Sequence, residues 1–263
     1  MFTFRATKGA SERKGNVMTE EPDGKRTQKG ELARQRLLQS ALHLFGSKGY
    51  EGTTMREIAA EAGYSPGLTY RYFASKEELV LVLYQNLATE LDAYAHDLPP
   101  ASLPERFHLV MAKQIELMEP HREALASLFG AALNPCSQAG VFGENTLDIR
   151  RRTRRVYLEI IQGAKDAPRE SLREDLANLL YGAHMAMILF WLIDQSDRAW
   201  RSRLLLAFLR DQFKLILSIL WLPPVSQALT RLADIIGPLL GDDRTTPPPQ
   251  GQDEDHKPVP SSQ

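Results

Sequence analysis

Three helix-start signals fall about ten residues apart between Thr53 and Lys76, in the segment TTMREIAAEAGYSPGLTYRYFASK. Ordinary bundle helices do not fit so close a spacing. Thr54 and Glu57 make a capping box, in which the threonine hydroxyl accepts the amide three residues on and the carboxylate reaches back to the cap's own N–H. The pattern predicts a short helix that carries Ile58, Ala59 and Ala62 inward and stops at Gly63, a residue that accepts the left-handed conformation favoured at helix ends. Ser65 caps a second helix with Pro66 at its first position, where a missing N–H costs nothing. Ser75 and Glu78 repeat the box for a third. Only Gly63 and Tyr64 separate the first helix from the cap of the second, so the two cross steeply, as in a helix-turn-helix. Ser65, Gly67, Tyr70, Arg71 and Tyr72 are then offered to phosphates or base edges, while Phe73 anchors the helix end in the core. The bland alternative is a helical corner that binds nothing; three caps in register, a glycine turn and two tyrosines favour DNA.

These residues resemble the TetR family of bacterial transcriptional regulators. The likeness runs from ALHLFGSKGYEGTT through EIAAEAG to SPGLTYRYFASKEEL, over Leu37 to Leu83, and is weaker beyond. It implies an all-helical dimer with a three-helix DNA-binding head, a connecting fourth helix and a larger domain for a small-molecule effector. On that pattern Thr53 or Thr54 and Lys76 would touch phosphates, and Ser65, Gly67, Tyr70 and Tyr72 would face DNA. The family commonly places a small polar residue and then an aliphatic one after the glycine, whereas this chain has Leu68 then Thr69. Either Thr69 sits in the core and Leu68 leans on the groove, against a thymine methyl, or the helix is rotated slightly. Together with Pro66 and Arg71, these positions form the expected DNA face.

The net charge of −1 over 263 residues says nothing about DNA by itself. Its distribution says more: from Gly24 to Lys76 there are nine Lys or Arg against four Glu, a local positive excess suited to phosphates. Cys136 is the only cysteine, which rules out an intrachain disulfide or a cysteine-based zinc site and fits a reducing cytoplasm. The first residues lack the apolar core of a secretory signal. They read as a disordered arm over 1–27, within which Met1 or Met18 could start translation. The most apolar run, Leu179 to Ile193, falls short of the roughly 20 residues of a membrane span and reads as a buried helix.

The fold class expected is all-α. A first helix over Gln28 to Lys48 opens the helix-turn-helix domain, 28–74. Ser75 then starts a long helix through Ala95 that belongs to both parts of the chain, and residues 75–240 form a helical ligand-binding and dimerisation domain. Its helices are expected over Pro104 to Glu119, Arg122 to Leu133, Thr146 to Lys165, Arg169 to Ile193 and Asp197 to Trp221, with a last short one over 225–240. NPCSQAGVFGEN reads as a loop. From Gly241 to Gln263 the chain turns Pro-rich and acidic, which reads as a disordered tail. No run of alternating residues suggests a sheet.

The two long helices carry more apolar surface than one partner can cover: Leu179, Leu180, Met187, Phe190 and Trp191 on one, and Leu205, Phe208, Leu209, Phe213, Ile216, Leu217 and Leu220 on the other. A second copy packed about a two-fold axis is the simplest cover. An apolar or aromatic effector would sit between head and hairpin, lined by Met111, Gln114, Met118, Phe129, Tyr157, Tyr181, His184 and Met185. The competing reading makes these plain core, and His184 a hydrogen-bonded core residue. The cluster Arg150, Arg151, Arg152, Arg154 and Arg155 reads mainly as a solvated face partnered by Glu144, Asp148 or Glu159, with an acidic effector or nucleic acid as the other use.

Glu105 and His108 form a single ExxH pair, where a di-iron bundle needs two such pairs and two further glutamates. No phosphate loop, HExxH or G-x-S-x-G occurs, so no enzyme, cofactor or metal is expected. The function expected is a cytoplasmic, dimeric, ligand-responsive DNA-binding regulator that reads a near-palindromic operator; the resemblance makes repression the commoner outcome. The alternative is a helical small-molecule- or protein-binding co-regulator that does not read DNA.

Overall fold

The computed structural model describes residues 23–134 and 137–242, with side chains from Gln28 onward. Cys136, both candidate start methionines, and most of the expected arm and tail lie outside the described residues. Among the described residues there are ten α-helices and no strand: α1 Asp23–Lys48, α2 Met55–Ala62, α3 Pro66–Tyr72, α4 Lys76–His96, α5 Leu103–Met118, α6 Arg122–Leu133, α7 Leu147–Gln162, α8 Glu170–Ile193, α9 Trp200–Ile219 and α10 Pro223–Ile236. The all-α expectation is met. Two ends differ from expectation: α1 begins at Asp23, inside the expected arm, and Asp242, inside the expected tail, is buried.

All three caps form where the local pattern predicts them, the first as a complete capping box. Glu57 N–H donates to Thr54 Oγ1 at 3.3 Å and Thr54 N–H to Glu57 Oε2 at 2.8 Å. Leu68 N–H donates to Ser65 Oγ at 3.3 Å, with Pro66 at the first helical position. At the third cap Glu78 N–H reaches Ser75 Oγ at 3.3 Å, but the carboxylate takes the N–H of Ala74 at 2.6 Å rather than that of the cap residue. Gly63 stands at φ 74°, ψ 29° and ends α2. Leu37, Phe45, Ile58, Ala62, Phe73 and Leu79 meet beneath these helices, with Phe45 edge-on to Tyr50 at 5.1 Å.

This core does not close at residue 74. Met118, Leu125, Leu128 and Trp191 belong to the same cluster, because α1 packs along α6. Gly46 permits the approach: a Cβ there would lie 3.1 Å from Glu123 Cβ. A second cluster fills the space among α4, α5, α7, α8 and α9, where α4 lies on α7 and α5, and α7 on α8.

The α8–α9 pair departs from a simple hairpin. α9 packs mainly against α5, and α10 covers α8. Asp194 closes the corner by accepting from Ser196 N–H and Oγ–H and from Ser202 N–H and Oγ–H, at 2.6–3.0 Å. Those bonds hold its carboxyl well below the usual range against the opposing effect of burial, and they brace Arg198 and Ala199, two non-glycine residues at φ 48° and 50°. Apolar exposure and apolar periodicity therefore pick out different residues here. Met187, Trp191, Phe213 and Leu220, expected at a dimer face, are inside the protomer. Trp191 is held there by Nε1–H donating to Glu119 Oε2 at 3.1 Å and by the Arg122 guanidinium 4.8 Å over its ring. Phe190, Leu205 and Leu209 are half-buried against the core, as are Leu179 and Leu217. Phe208 and Ile216 are exposed, alongside Leu189, Ile193, Trp200, Leu204, Leu215, Ile219 and Trp221, which helical period alone did not single out.

α8 runs 24 residues, longer than the apolar run it contains, and is the one helix among the described residues long and apolar enough to cross a membrane by composition. In this fold its Leu176, Leu180, Tyr181, Met187 and Trp191 are buried against other helices.

Candidate functional site

The head presents α3 on one face. Ser65, Pro66, Gly67, Tyr70 and Arg71 are exposed, with Tyr70 at 51% accessibility. Thr69 is fully buried and its hydroxyl donates to Ser65 O at 3.2 Å, which places Thr69 in the core as the first alternative at the Leu68–Thr69 pair requires. Leu68 is half-exposed beside it. Tyr72 is half-buried and packs on the head core, with its hydroxyl close to Gly30 of α1, and so is turned back from the face where it was expected.

Thr53 and Lys76, named among the expected phosphate contacts, both bond within the head. Thr53 is 1% exposed, and its hydroxyl donates to Gly49 O at 2.7 Å. Its neighbour Thr54 is exposed at the start of α2. The Lys76 ammonium donates to Tyr50 O at 2.8 Å and lies 4.4 Å over the Tyr50 ring, which ties it to the head. Lys48 pairs with Glu57, whose carboxyl is held at about 2 by that ammonium and by the Thr54 bonds. Arg56 and Arg71 are exposed and form no ion pair among the described residues, which leaves positive charge on the same end of the molecule as Tyr70.

Behind the head lies a cavity of about 140 Å³. Gln114, Met118, Phe129, Tyr181, His184 and Met185 line it, as expected from the sequence. Met111 and Tyr157 do not; they are fully buried one layer back. There Tyr157 supports the wall: its hydroxyl lies 2.6 Å from His184 Nδ1 and 3.3 Å from Met111 Sδ. Burial pushes His184 down to about 3 and Tyr181 up to about 12, so both rings are neutral at ordinary pH. Tyr84, Leu87 and Ala88 of α4 complete the wall, as do Leu125 and Ala132 of α6. Periodicity singles out none of these five for the cavity; α4 in particular is shared by two clusters and has no single apolar stripe.

The arginine cluster divides along α7. Arg152 and Arg155 are exposed, Arg151 pairs with Asp148 at 3.5 Å, and Arg154 bonds Glu174 and Asn178 and lies 3.4 Å from Asp242. Glu159 pairs instead with His96. Arg150 is the buried member of the cluster and stands in the cavity wall. Among the described residues no group of three or more His, Cys, Asp or Glu side chains is placed to hold a metal ion.

Residues 37–83 match the family model for bacterial regulatory proteins of the tetR family. An HTH-type transcriptional repressor of Mycobacterium tuberculosis is 37% identical over 70 residues, which cover 27% of this chain and 37% of that protein. The HTH-type transcriptional regulator HbdR of an Aromatoleum species is 36% identical over 69 residues, covering 26% of this chain and 29% of the relative. Sequence similarity thus spans 29–37% of the length of these relatives. The fold likeness extends further. A tetR-family regulator from Streptomyces coelicolor superposes with a TM-score of 0.53 at 22% identity, over 78% of this chain and 90% of the other. A TetR regulator from Nitrosomonas europaea gives 0.51 at 18%, over 68% and 96%. The likeness to the tetR family of bacterial regulatory proteins therefore rests on residues 37–83, the head of this chain.

Proposed function

We propose that this chain is a cytoplasmic, ligand-responsive transcriptional regulator, acting as a repressor, that grips a near-palindromic operator as a homodimer. The observation that carries the reading is α3: a short capped helix with Ser65, Gly67, Tyr70 and Arg71 exposed together, while Thr69 and Phe73 root it in the core. Ser65 to Phe73 would enter the major groove, with Tyr70 and Ser65 at base edges or phosphates, Leu68 against a thymine methyl, and Thr54, Arg56 and Arg71 at the backbone. In a two-fold dimer the two copies meet half-sites about 34 Å apart or a multiple of it. The exposed apolar stripe Trp200, Leu204, Phe208, Leu215 and Ile219, continued by Leu189 and Ile193 of α8, supports a second copy as partner.

The cavity touches the head by two routes. α4 begins at the third cap, directly after α3, and supplies Tyr84, Leu87 and Ala88 to the wall; α6 supplies Leu125, Phe129 and Ala132 and lies against α1. A ligand that fits only when these helices shift would tilt both heads away from the half-site spacing. Moving the population from 1:99 to 99:1 requires about 5.5 kcal/mol of preferential binding to the released state.

A mobility-shift assay with the DNA flanking the chain's own gene tests the reading. The folded dimer should give a salt-sensitive complex that Tyr70→Ala weakens without loss of helicity. A folded dimer that gives no complex at low salt would leave the non-DNA-binding co-regulator as the surviving account.

A further inference from the structure

Among the described residues lining the cavity, Arg150 is the only permanently ionised one, with no Asp, Glu or Lys beside it. Only 7% of Arg150 is exposed. Its Nη1 donates to Val141 O at 3.1 Å, Gly143 O at 2.7 Å and Thr146 Oγ1 at 2.7 Å, all neutral acceptors. Arg150 forms no ion pair among the described residues, and its Nε–H is buried without an acceptor. Burial depresses its basicity, yet a guanidinium stays charged in any protein. The plain account is a staple that holds the 137–146 loop onto α7. That account explains Nη1 and nothing else: carbonyl acceptors can be met by a neutral amide, whereas a buried cation without a counter-charge is costly.

We propose that the cavity takes a small monocarboxylate with an apolar body about one ring in size, its carboxylate paired with Arg150. The inference rests on the ligand-responsive reading above and adds the charge and size of the ligand. With Nη1 committed to the loop, Nε and Nη2 form the side-on edge whose parallel N–H bonds match a carboxylate. Thr153 and Tyr181 stand in the same wall, and the neutral Tyr181 phenol can donate to an anion. No negative charge is offered among the described lining residues, so the one charge a cationic ligand would meet there is the like charge of Arg150. The size follows from the volume: about 140 Å³ compares with the roughly 150 Å³ apolar cavity that admits benzene.

Calorimetric titration of the full chain with three matched series is the test: benzoate, phenylacetate and cyclohexanecarboxylate, their amides, and the corresponding primary amines. At least one acid should bind roughly 10- to 100-fold more tightly than its amide, the range for a hydrogen bond to a charged group. Arg150→Gln, which keeps donors for the loop carbonyls but removes the charge, should abolish that preference. Amides or amines binding as tightly as the acids would overturn the anion inference and leave a neutral-ligand cavity standing. Absence of binding by every member would sink both the inference and the cavity reading. If Arg150→Gln does not fold, the acid–amide comparison in the native chain is decisive by itself.

Discussion

Replacing Gly63 with alanine should destabilise the chain by about 1 kcal/mol, and the reason lies wholly in the backbone. Gly63 N–H donates to Ala60 O at 3.1 Å and Tyr64 N–H to Ala59 O at 2.9 Å, the two bonds of a Schellman end, which require the left-handed conformation seen at φ 74°. A Cβ there would find only Arg36 Nη2, 3.8 Å away, so no clash contributes. An L-residue in that conformation costs about 1–2 kcal/mol, offset by about 0.4–1 kcal/mol from the stiffer unfolded chain. Asparagine, which tolerates the region better, should cost less than alanine. Gly67 is the internal control: nothing lies within 4 Å of a Cβ there and its φ is not left-handed, so Gly67→Ala should stabilise by up to about 0.5–1 kcal/mol. The same added methyl sits on the proposed DNA face and should weaken operator binding. Urea denaturation followed by helical circular dichroism reads both signs, and a 1 kcal/mol change should move the melting temperature by about 2–4 °C. A neutral or stabilising Gly63→Ala would refute the claim that the left-handed turn sets the crossing of α2 and α3.

Three other outcomes follow from particular contacts. Lys76→Ala should lower stability by about 0.5–1.5 kcal/mol through the lost bond to Tyr50 O and leave the salt slope of DNA binding nearly unchanged; a slope reduced by about one ion would return Lys76 to the phosphate backbone. Leu204→Glu with Phe208→Glu, two exposed positions on α9, should give monomers in sedimentation equilibrium, and an intact dimer would place the interface elsewhere. Burial keeps His184 neutral with its pKa pushed down to about 3, while the unfolded chain takes up that proton near pH 6.5. Its stabilisation is therefore present above about pH 6.5 and falls by about 1.4 kcal/mol per pH unit below that, toward pH 3. Between pH 7 and 5 the native chain should lose about 2 kcal/mol more than His184→Gln; equal losses would mean the ring is not held neutral.

The candidate site was legible in proportion to how local its physics is. The caps at Thr54, Ser65 and Ser75 each join residues three apart, so their hydrogen bonds could be written down before any tertiary contact was known. Ile58, Ala62 and Phe73 likewise follow from helical period. The choice between Thr53 and Thr54 could not be made that way, because Thr53 turns inward to bond Gly49 and Leu44 across the α1–α2 connection. Lys76 reads as a free charge until Tyr50, 26 residues earlier, is folded against it.

Sequence alone therefore determined the all-helical class, the helix-turn-helix and its exposed Ser65, Gly67 and Tyr70, since these depend on periodicity and on bonds within one or two turns. Tertiary structure decided which apolar faces are shared within one protomer and which are left over. Trp191 and Phe213 were claimed by α5, α6 and the Arg122–Glu119 pair, whereas Leu204 and Phe208 were left outside. It also decided the charge of the cavity, because neighbouring arginines on α7 point around a full circumference and only the packing of α8 and the 137–146 loop against one of them removes it from water. A hydrophobic pattern states that a face must be covered; the cover itself is a long-range choice that no short window of residues contains.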